Sequence, residues 1–161
     1  MKTITYRQEI RPTDPDAIAE IVRGSGFFSV AEEALARELA EERLEQGEQS
    51  SYRFVFAEEN GRLVGYTCYG LIPATAGSYD LYWIAVNPDV QSKGIGSRLI
   101  KYIEDHIKER QGRLILIETS GKPSYEKERK FYEKNLYDEI VNIRDFYNIG
   151  DALVIYGKYL S

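Results

Sequence analysis

Alternating apolar and polar residues predict seven strands, and apolar residues three or four positions apart predict four helices. The strands are expected over residues 3–11, 52–57, 62–69, 78–86, 113–119, 137–146 and 152–159. The helices are expected over residues 15–24, 30–46, 95–110 and 123–134. Because a helix separates the fourth strand from the fifth, these two strands should lie parallel, whereas Asn60-Gly61 predicts an antiparallel hairpin. The pattern therefore predicts an α/β fold with a mixed sheet.

Start and stop signals flank the first two helices. Thr13 or Asp14 is expected to cap the first helix, with Pro15 in its first turn, and Gly24 with the residues after it should end that helix. Ser29 is expected to cap the second helix.

The most informative stretch connects the fourth strand to the third helix. The strand ends at Val86, Pro88 has no N–H to give to a sheet, and Gln91-Ser-Lys-Gly-Ile-Gly96 leads directly into the helix. Two glycines let the backbone turn tightly and approach a ligand. The first turn of the helix adds free N–H groups and the positive end of the helix dipole. These features predict a site for an anion such as a phosphate or pyrophosphate.

Two widespread phosphate motifs do not account for this loop. The Walker pattern G-x-x-x-x-G-K-[ST] is absent, and the Rossmann fingerprint lacks its third glycine because Arg98 and Leu99 stand there instead. A plain turn with nothing bound stays an alternative interpretation, since helices also begin at glycine without a ligand.

The full pattern resembles that of the GNAT superfamily of acetyl-CoA-dependent N-acetyltransferases. In that family a V-x-P strand end precedes a [QR]-x-x-G-x-[GA] loop around the CoA pyrophosphate, and the matching residues here are Val86, Pro88, Gln91, Gly94 and Gly96. The order of elements also matches the family fold: a central mixed, mostly antiparallel sheet of about seven strands flanked by helices, with a parallel, splayed pair around the acetyl-CoA site. The resemblance implies an enzyme that moves an acetyl group from acetyl-CoA directly to a primary amine of a small molecule, peptide or protein.

The resemblance also implies which residues contact acetyl-CoA. The loop and the helix start would bind the pyrophosphate, and the main chain of the preceding strand would bind the pantetheine arm. The implied cofactor-binding residues are Ile84, Ala85, Val86, Gln91, Ser92, Lys93, Gly94, Ile95, Gly96, Ser97, Tyr125 and Tyr132. Tyr125 departs from the family pattern, because many members have an asparagine at that position.

Transfer of an acetyl group to an amine needs a proton acceptor for the amine and a proton donor for the leaving thiolate. Tyr132 matches the family tyrosine whose hydroxyl lies near the CoA sulfur, and a phenol keeps its proton at neutral pH. Asp80 corresponds to a glutamate that acts as general base in histone-type members, and as a shorter side chain it would act through a water. Glu118, at the end of the fifth strand, is the competing carboxylate. Packing for Tyr132, and ordinary polar roles for Asp80 and Glu118, stay open as alternatives.

Four aromatic residues are candidates for contact with the acceptor amine. Phe27 and Phe28 lie between the first two helices, a connection that forms one wall of the acceptor site in the family, and Tyr69 and Tyr82 lie on central strands. Core packing is the alternative for each of them. Beyond the fourth helix, Leu136 replaces the family's glycine, so the left-handed residue that ends the helix is expected at Asn135.

Composition limits the remaining possibilities. Residues 1–161 are expected to form a single acetyltransferase domain. One cysteine, Cys68, and one histidine, His106, exclude an internal disulfide and metal sites built from clusters of these residues, so no metal is expected. No stretch approaches the roughly 20 apolar residues of a membrane span, and a formal charge of −5 argues against sequence-independent nucleic-acid binding. We therefore expect a cytoplasmic protein with no membrane or nucleic-acid partner. The family resemblance adds an amine substrate, and a homodimer as an option.

Two other functions stay open at this point. One is a non-catalytic sensor or regulatory module that binds acetyl-CoA or CoA, and the other is a small structural domain whose glycines form only a turn. Tyr132 and the carboxylates favour the enzyme over the sensor, because a sensor has no need for groups that move protons.

Overall fold

A computed structural model describes residues 3–161, with only the backbone described for residues 91–93. The strands are β1 (Ile4–Arg7), β2 (Arg53–Glu59), β3 (Arg62–Leu71), β4 (Ser78–Val86), β5 (Leu114–Ser120), β6 (Asp138–Asn148) and β7 (Asp151–Tyr159). The α-helices are α1 (Asp14–Gly24), α2 (Val30–Gln46), α3 (Ile95–Glu109) and α4 (Glu126–Lys134). Three short 3₁₀ helices cover Gly47–Gln49, Pro88–Lys93 and Pro123–Tyr125. No helix in the described part of the chain is long and apolar enough to cross a membrane.

The seven strands form one sheet in the order β1-β2-β3-β4-β5-β7-β6. β4 and β5 are parallel, whereas β1 with β2, β2 with β3, β5 with β7 and β6 with β7 are antiparallel. The mixed sheet and its parallel pair are therefore confirmed. The β2–β3 hairpin turns at Asn60 and Gly61, whose φ angles of 53° and 77° confirm the predicted tight turn.

The chain divides into two compact units. The first contains residues up to Gly70 together with Trp83–Ile103, and the second contains Leu71–Tyr82 together with Glu104–Ser161. β4 and α3 each supply residues to both units.

The core of the first unit forms from α1, α2 and the inward-facing residues of the neighbouring strands. Its buried members are Ile18, Ile21, Val22, Ala36, Ala40, Phe54, Phe56, Leu63, Tyr66, Cys68 and Ala85. Ser29 caps α2 as expected. Its side chain accepts the Glu32 N–H and the Glu32 side chain accepts the Ser29 N–H, which makes a reciprocal capping box.

The predicted side-chain cap of α1 is wrong. Thr13 is the N-cap residue but makes no side-chain capping bond. Asp14 is buried and accepts two hydrogen bonds from the Arg7 guanidinium, at 2.6 and 2.8 Å, and one from the Arg11 N–H at 2.7 Å. This ion pair joins β1 to α1, and the first strand ends at Arg7, four residues before the predicted end.

The core of the second unit combines α3, α4, β5 and β7. Its buried residues include Ile107, Ile115, Ile117, Tyr132, Tyr137, Val154 and Tyr156. The carboxylate of Glu104 is also buried here, and it accepts a hydrogen bond from the Tyr137 hydroxyl at 2.9 Å and from the Lys158 ammonium at 3.0 Å.

Both ends of α4 differ from expectation. The predicted single helix over residues 123–134 is a 3₁₀ turn followed by α4, which begins only at Glu126. The left-handed residue after this helix is Leu136, with φ of 70°, and not Asn135, with φ of −90°. Asn135 instead donates its side-chain N–H to the Phe131 carbonyl at 2.9 Å, so its polar group satisfies a carbonyl at the helix end.

Candidate functional site

The loop between β4 and α3 is attached to β3 at its start. The Asn87 N–H donates to the Val64 carbonyl at 2.7 Å, and the Val90 N–H donates to the Asn87 carbonyl at 3.0 Å. The Asn87 side chain accepts the Asp89 N–H at 2.9 Å, and the Val90 side chain is buried. The first part of the loop, residues 87–90, is therefore held in place by backbone and side-chain hydrogen bonds.

Gly94 supplies the conformation that lets α3 start. Its φ is 70°, in the left-handed region, and a Cβ placed there would meet no atom within 4 Å in the part of the chain that the structure describes. The Arg98 N–H donates to the Gly94 carbonyl at 3.1 Å, the first bond of the helix. The N–H groups of Ile95, Gly96 and Ser97 precede that bond and lie at the positive end of α3, which suits an anion.

The predicted cofactor residues have different surroundings. The side chain of Ile95 is fully buried, so only its backbone is available to a ligand, and Ala85 is also buried on β4. Ile84 and Val86 are partly buried. The side chains of Gln91, Ser92 and Lys93 lie outside the described residues.

β4 and β5 pair over a short segment. Ser78, Tyr79 and Asp80 of β4 lie opposite Leu114, Ile115 and Leu116 of β5, and β4 then continues to Val86. The residues expected to contact pantetheine belong to this later part of β4.

Asp80 and Glu118 lie close enough to interact. Asp80 is half-buried and pairs with Leu116 of β5. Glu118 lies two residues after Leu116, where it is exposed and pairs with Ile155 of β7. Burial raises the pKa of the Asp80 carboxyl, and the nearby negative charge of Glu118 raises that pKa further. Neither carboxylate makes a hydrogen bond or ion pair with the side chains or backbone of residues 3–161 as described.

Tyr132 is buried, with 2% of its surface exposed, and its hydroxyl donates to Glu128 Oε1 at 2.8 Å. Its ring lies 5.9 Å from that of Tyr156, whose own hydroxyl donates to Glu133 at 2.9 Å. Burial and the Glu128 carboxylate raise the pKa of the Tyr132 phenol well above its ordinary value. The hydroxyl is therefore held in its protonated form.

The turn before α4 positions Tyr125. The Arg129 guanidinium donates to the carbonyls of Ser120 and Lys122, each at 2.7 Å, and so ties α4 to the end of β5. Tyr125 is the last residue of the 3₁₀ turn and the N-cap of α4, where it makes no side-chain cap.

The four candidate acceptor residues are not equally accessible. Phe27 is 39% exposed and packs edge-on against Phe28, which in turn contacts Trp83 of β4 at a ring distance of 4.9 Å. Tyr82 is 38% exposed, whereas Tyr69 is buried. Phe27, Phe28 and Trp83 thus form a row of rings that extends from the surface to β4.

Two residues that the sequence pattern did not indicate, Glu128 and Gly65, lie against candidate site residues. Glu128 stands four residues before Tyr132, a spacing that places both side chains on one helix face. Gly65 lies inside β3, and an isolated glycine in a strand often marks a close approach of another segment. Among the described residues, no group of three His, Cys, Asp or Glu side chains is arranged to hold a metal ion.

Comparison with known proteins places the chain in a family. The sequence profile of the Acetyltransferase (GNAT) family matches residues 16–136, which is more than half of the chain. A crystal structure of a protein assigned to the GNAT family, from a Desulfovibrio desulfuricans subspecies, is 38% identical, with a TM-score of 0.97 over 99% of this chain and 100% of the other. A search of curated proteins finds no match.

More distant structures share the fold. An aminoglycoside 6'-N-acetyltransferase in complex with coenzyme A is 18% identical, with a TM-score of 0.75 over 98% of this chain and 96% of the other. The ribosomal-protein-S18-alanine N-acetyltransferase from Escherichia coli is 22% identical, with a TM-score of 0.74 over 100% of this chain and 95% of the other. With the profile match and the Desulfovibrio protein, these likenesses lead to one conclusion: the chain belongs to the GNAT family of acetyltransferases.

Proposed function

We propose that this enzyme transfers an acetyl group from acetyl-CoA directly to a primary amine. The observation that supports the proposal is the start of α3, where Gly94 is left-handed and a Cβ on it would meet no atom of the described residues within 4 Å, beside the free N–H groups of the first turn. The pyrophosphate of CoA fits this donor set, because it needs several N–H donors and a positive potential, and no metal.

Acetyl-CoA, when bound, supplies the acetyl group as a thioester. We assign the pyrophosphate to the backbone of the loop from Gln91 to Gly94 and the first turn of α3, ending at Ser97. The pantetheine arm is assigned to the main chain of β4 around Ile84, beyond the short segment that pairs with β5. A backbone N–H of β4 in this later part also serves to polarise the thioester carbonyl.

Asp80 is the proposed general base. A protonated amine is not a nucleophile, so a carboxylate must take its proton, directly or through one water. The raised pKa of Asp80 makes it a better proton acceptor than an ordinary aspartate, and no salt bridge with the described residues competes for its charge. Glu118 keeps a negative potential beside Asp80, which also attracts a cationic amine.

Tyr132 is the proposed proton donor. Its hydroxyl carries a proton at every physiological pH, because burial and Glu128 raise its pKa. The hydroxyl hydrogen that Tyr132 now donates to Glu128 Oε1 is the one that it would offer to a leaving thiolate. Glu128 keeps the ring in place when the hydroxyl is not engaged elsewhere.

The proposed acceptor is a small-molecule or peptide amine that Phe27, Phe28 and Tyr82 contact. The proposed location of the enzyme is the cytoplasm. The two more distant proteins are named as acetyltransferases of an aminoglycoside and of a ribosomal protein. Their names support an amine as the acceptor and leave its size open. A homodimer stays a prediction.

The test is acetyl-CoA turnover against a panel of polyamines, aminoglycosides, amino acids and peptides with free N-termini, followed by release of free CoA thiol. We expect thiol release that depends on one amine class and that rises with pH as Asp80 loses its proton. Equilibrium dialysis with acetyl-CoA accompanies it. Binding without release for any amine would support the sensor function, and absence of binding would overturn the proposal.

A further inference from the structure

We infer that Gly65 of β3 is the positioning residue for the anion-binding loop, an inference that rests on the proposed function. Its lack of a side chain lets the segments on both sides of the loop, the end of β4 and the first residue of α3, pack directly onto β3. The role is steric, because the φ of Gly65 lies outside the left-handed region and any residue can adopt its backbone conformation.

The contacts around Gly65 come from both sides of the loop. A Cβ at Gly65 would lie 3.3 Å from the Ala85 carbonyl oxygen and 3.4 Å from Val86 Cγ2, which belong to the last two residues of β4. The same Cβ would lie 3.3 Å from Cγ2 of Ile95, the first residue of α3. One glycine thus meets the residues just before the loop and just after it.

A backbone bond at the neighbouring residue fixes the same place. The Asn87 N–H donates to the Val64 carbonyl at 2.7 Å, so the loop leaves β4 while still attached to β3. From Asn87 onward, the chain must travel to Gly94 and return to β3 through Ile95. The position of the α3 first turn is therefore set by how closely Ile95 approaches Gly65.

Ile95 is packed on all sides. Its side chain is fully buried, and its backbone begins the helix whose first N–H groups form the anion site. A methyl group at position 65 requires its neighbours to shift by a few tenths of an ångström. A hydrogen bond weakens when its donor–acceptor distance or its angle departs from the preferred range. A small shift of the first turn should therefore reduce its affinity for a pyrophosphate. Neither Asp80 nor Tyr132, the two groups proposed to move protons, is among the atoms nearest to a Cβ at Gly65, so kcat should change less than the affinity for acetyl-CoA.

The experiment measures CoA and acetyl-CoA dissociation constants, KM and kcat for Gly65→Ala. We expect both the dissociation constant and the KM for acetyl-CoA to rise about tenfold, the equivalent of roughly one hydrogen bond to a charged group, with kcat within about twofold of wild type. Gly24→Ala is the matched control: it adds the same methyl group in the same unit, where no atom of the described residues lies within 4 Å, and should leave CoA affinity unchanged.

Ile95→Leu separates positioning from general destabilisation. Leucine keeps the carbon count but has no Cγ2 branch, so alone it should lose the contact with β3 and weaken CoA binding by a smaller factor. Combined with Gly65→Ala, it should make room for the new methyl group and restore affinity toward wild type, a non-additive result in a double-mutant cycle. Ile95→Leu alone still tests the contact if Gly65→Ala does not fold.

Three results would overturn the inference. These are wild-type CoA affinity in Gly65→Ala, a loss confined to kcat, or effects of the two substitutions that simply add. Failure of the wild-type protein to bind CoA would be a different result, since it would overturn the proposed function itself.

Discussion

Glu104 and Asp80 are both carboxylates withdrawn from water in the second unit, and their surroundings are opposite. Glu104 is 6% exposed and is fully paired, with the Tyr137 hydroxyl at 2.9 Å and the Lys158 ammonium at 3.0 and 3.2 Å. Asp80 is half-buried, has no hydrogen bond or ion pair within the described residues, and has Glu118 as a like-charged neighbour. A buried charge with good partners is typical of structure, whereas one left unpaired with a shifted pKa is typical of a reactive site.

The same contrast separates two tyrosines. The Tyr137 hydroxyl donates to Glu104 in a buried cluster. Lys158 belongs to the same cluster, with its Nζ 5.4 Å from the centre of the Tyr137 ring. Tyr132 donates to Glu128, a partly exposed residue on its own helix that water can also solvate. Breaking the first bond would remove one of the two partners of a buried carboxylate, whereas water can replace the second bond at the partly exposed Glu128. The second hydroxyl is therefore the one that can exchange partners during a reaction.

The largest effect is expected for Asp80→Asn. The amide cannot accept a proton, so kcat/KM should fall about 100-fold or more while the fold is kept, and the acid limb of the pH–rate profile should disappear. The measurement is thiol release as a function of pH and of amine concentration, which gives kcat/KM at each pH. Glu118→Gln is the matched control, since it removes the neighbouring charge and leaves the proposed base. If the acid limb survives in Asp80→Asn and is lost in Glu118→Gln, the two roles must be exchanged.

A loss of stability without a loss of chemistry is expected for Glu104→Gln. Lys158 would keep its charge in a mostly buried place with no carboxylate, so unfolding should become easier by about 3 kcal/mol, which lowers Tm by roughly 6–12 °C. Thermal and urea unfolding measure the change, and the kcat of the folded variant should equal that of wild type. Adding Lys158→Met should recover part of the stability. Equal stability of Glu104→Gln and wild type would show that the Glu104 cluster does not hold the unit together.

A smaller loss of turnover is expected for Tyr132→Phe. The ring still fills its place beside Tyr156, and only the hydroxyl and its bond to Glu128 are removed. We expect turnover to fall roughly 10- to 100-fold, the value of one hydrogen bond to a charged group, with CoA affinity unchanged. Tyr156→Phe, which removes a hydroxyl from the adjacent ring, serves as the control. Equal turnover in wild type and Tyr132→Phe would remove Tyr132 from the chemistry.

The smallest effect concerns the pH dependence of stability. Because the pKa of Asp80 is raised in the folded state, its contribution to stability is complete below about pH 4, near the unfolded pKa, and is lost as the pH rises through the folded pKa. Asp80→Asn should therefore be slightly more stable than wild type at pH 7 and no more stable at about pH 4. Urea unfolding at the two pH values tests this. A variant that is less stable than wild type at pH 7 would show that Asp80 has a structural partner.

Sequence patterns located the elements well where local signals are strong. The Asn60-Gly61 turn, the Ser29 cap and the limits of β4 follow from residues that prefer one conformation, and all three are observed. The Gly94 turn follows from the same kind of preference. The side-chain partners of Asp14 could not be predicted in this way, because its residue type suits a helix cap equally well. Only the approach of Arg7 decided between a cap and an ion pair.

The end of α4 shows the limit of propensity. Asparagine tolerates a positive φ better than leucine does, yet Leu136 takes that conformation and Asn135 bonds the Phe131 carbonyl. The chain must enter β6 immediately after the helix, and Tyr137 is held by Glu104. These long-range constraints outweigh a local preference of about 1 kcal/mol.

The sequence by itself determined the order of elements, the glycine loop and the family, because these depend on backbone preferences and on spacing along the chain. The tertiary structure decided which carboxylates are paired, which tyrosine is committed to the core and why β3 carries a glycine at position 65. Those properties arise from residues far apart in sequence, such as Gly65 with Ile95 and Glu104 with Lys158, whose burial and charge act on each other only after folding.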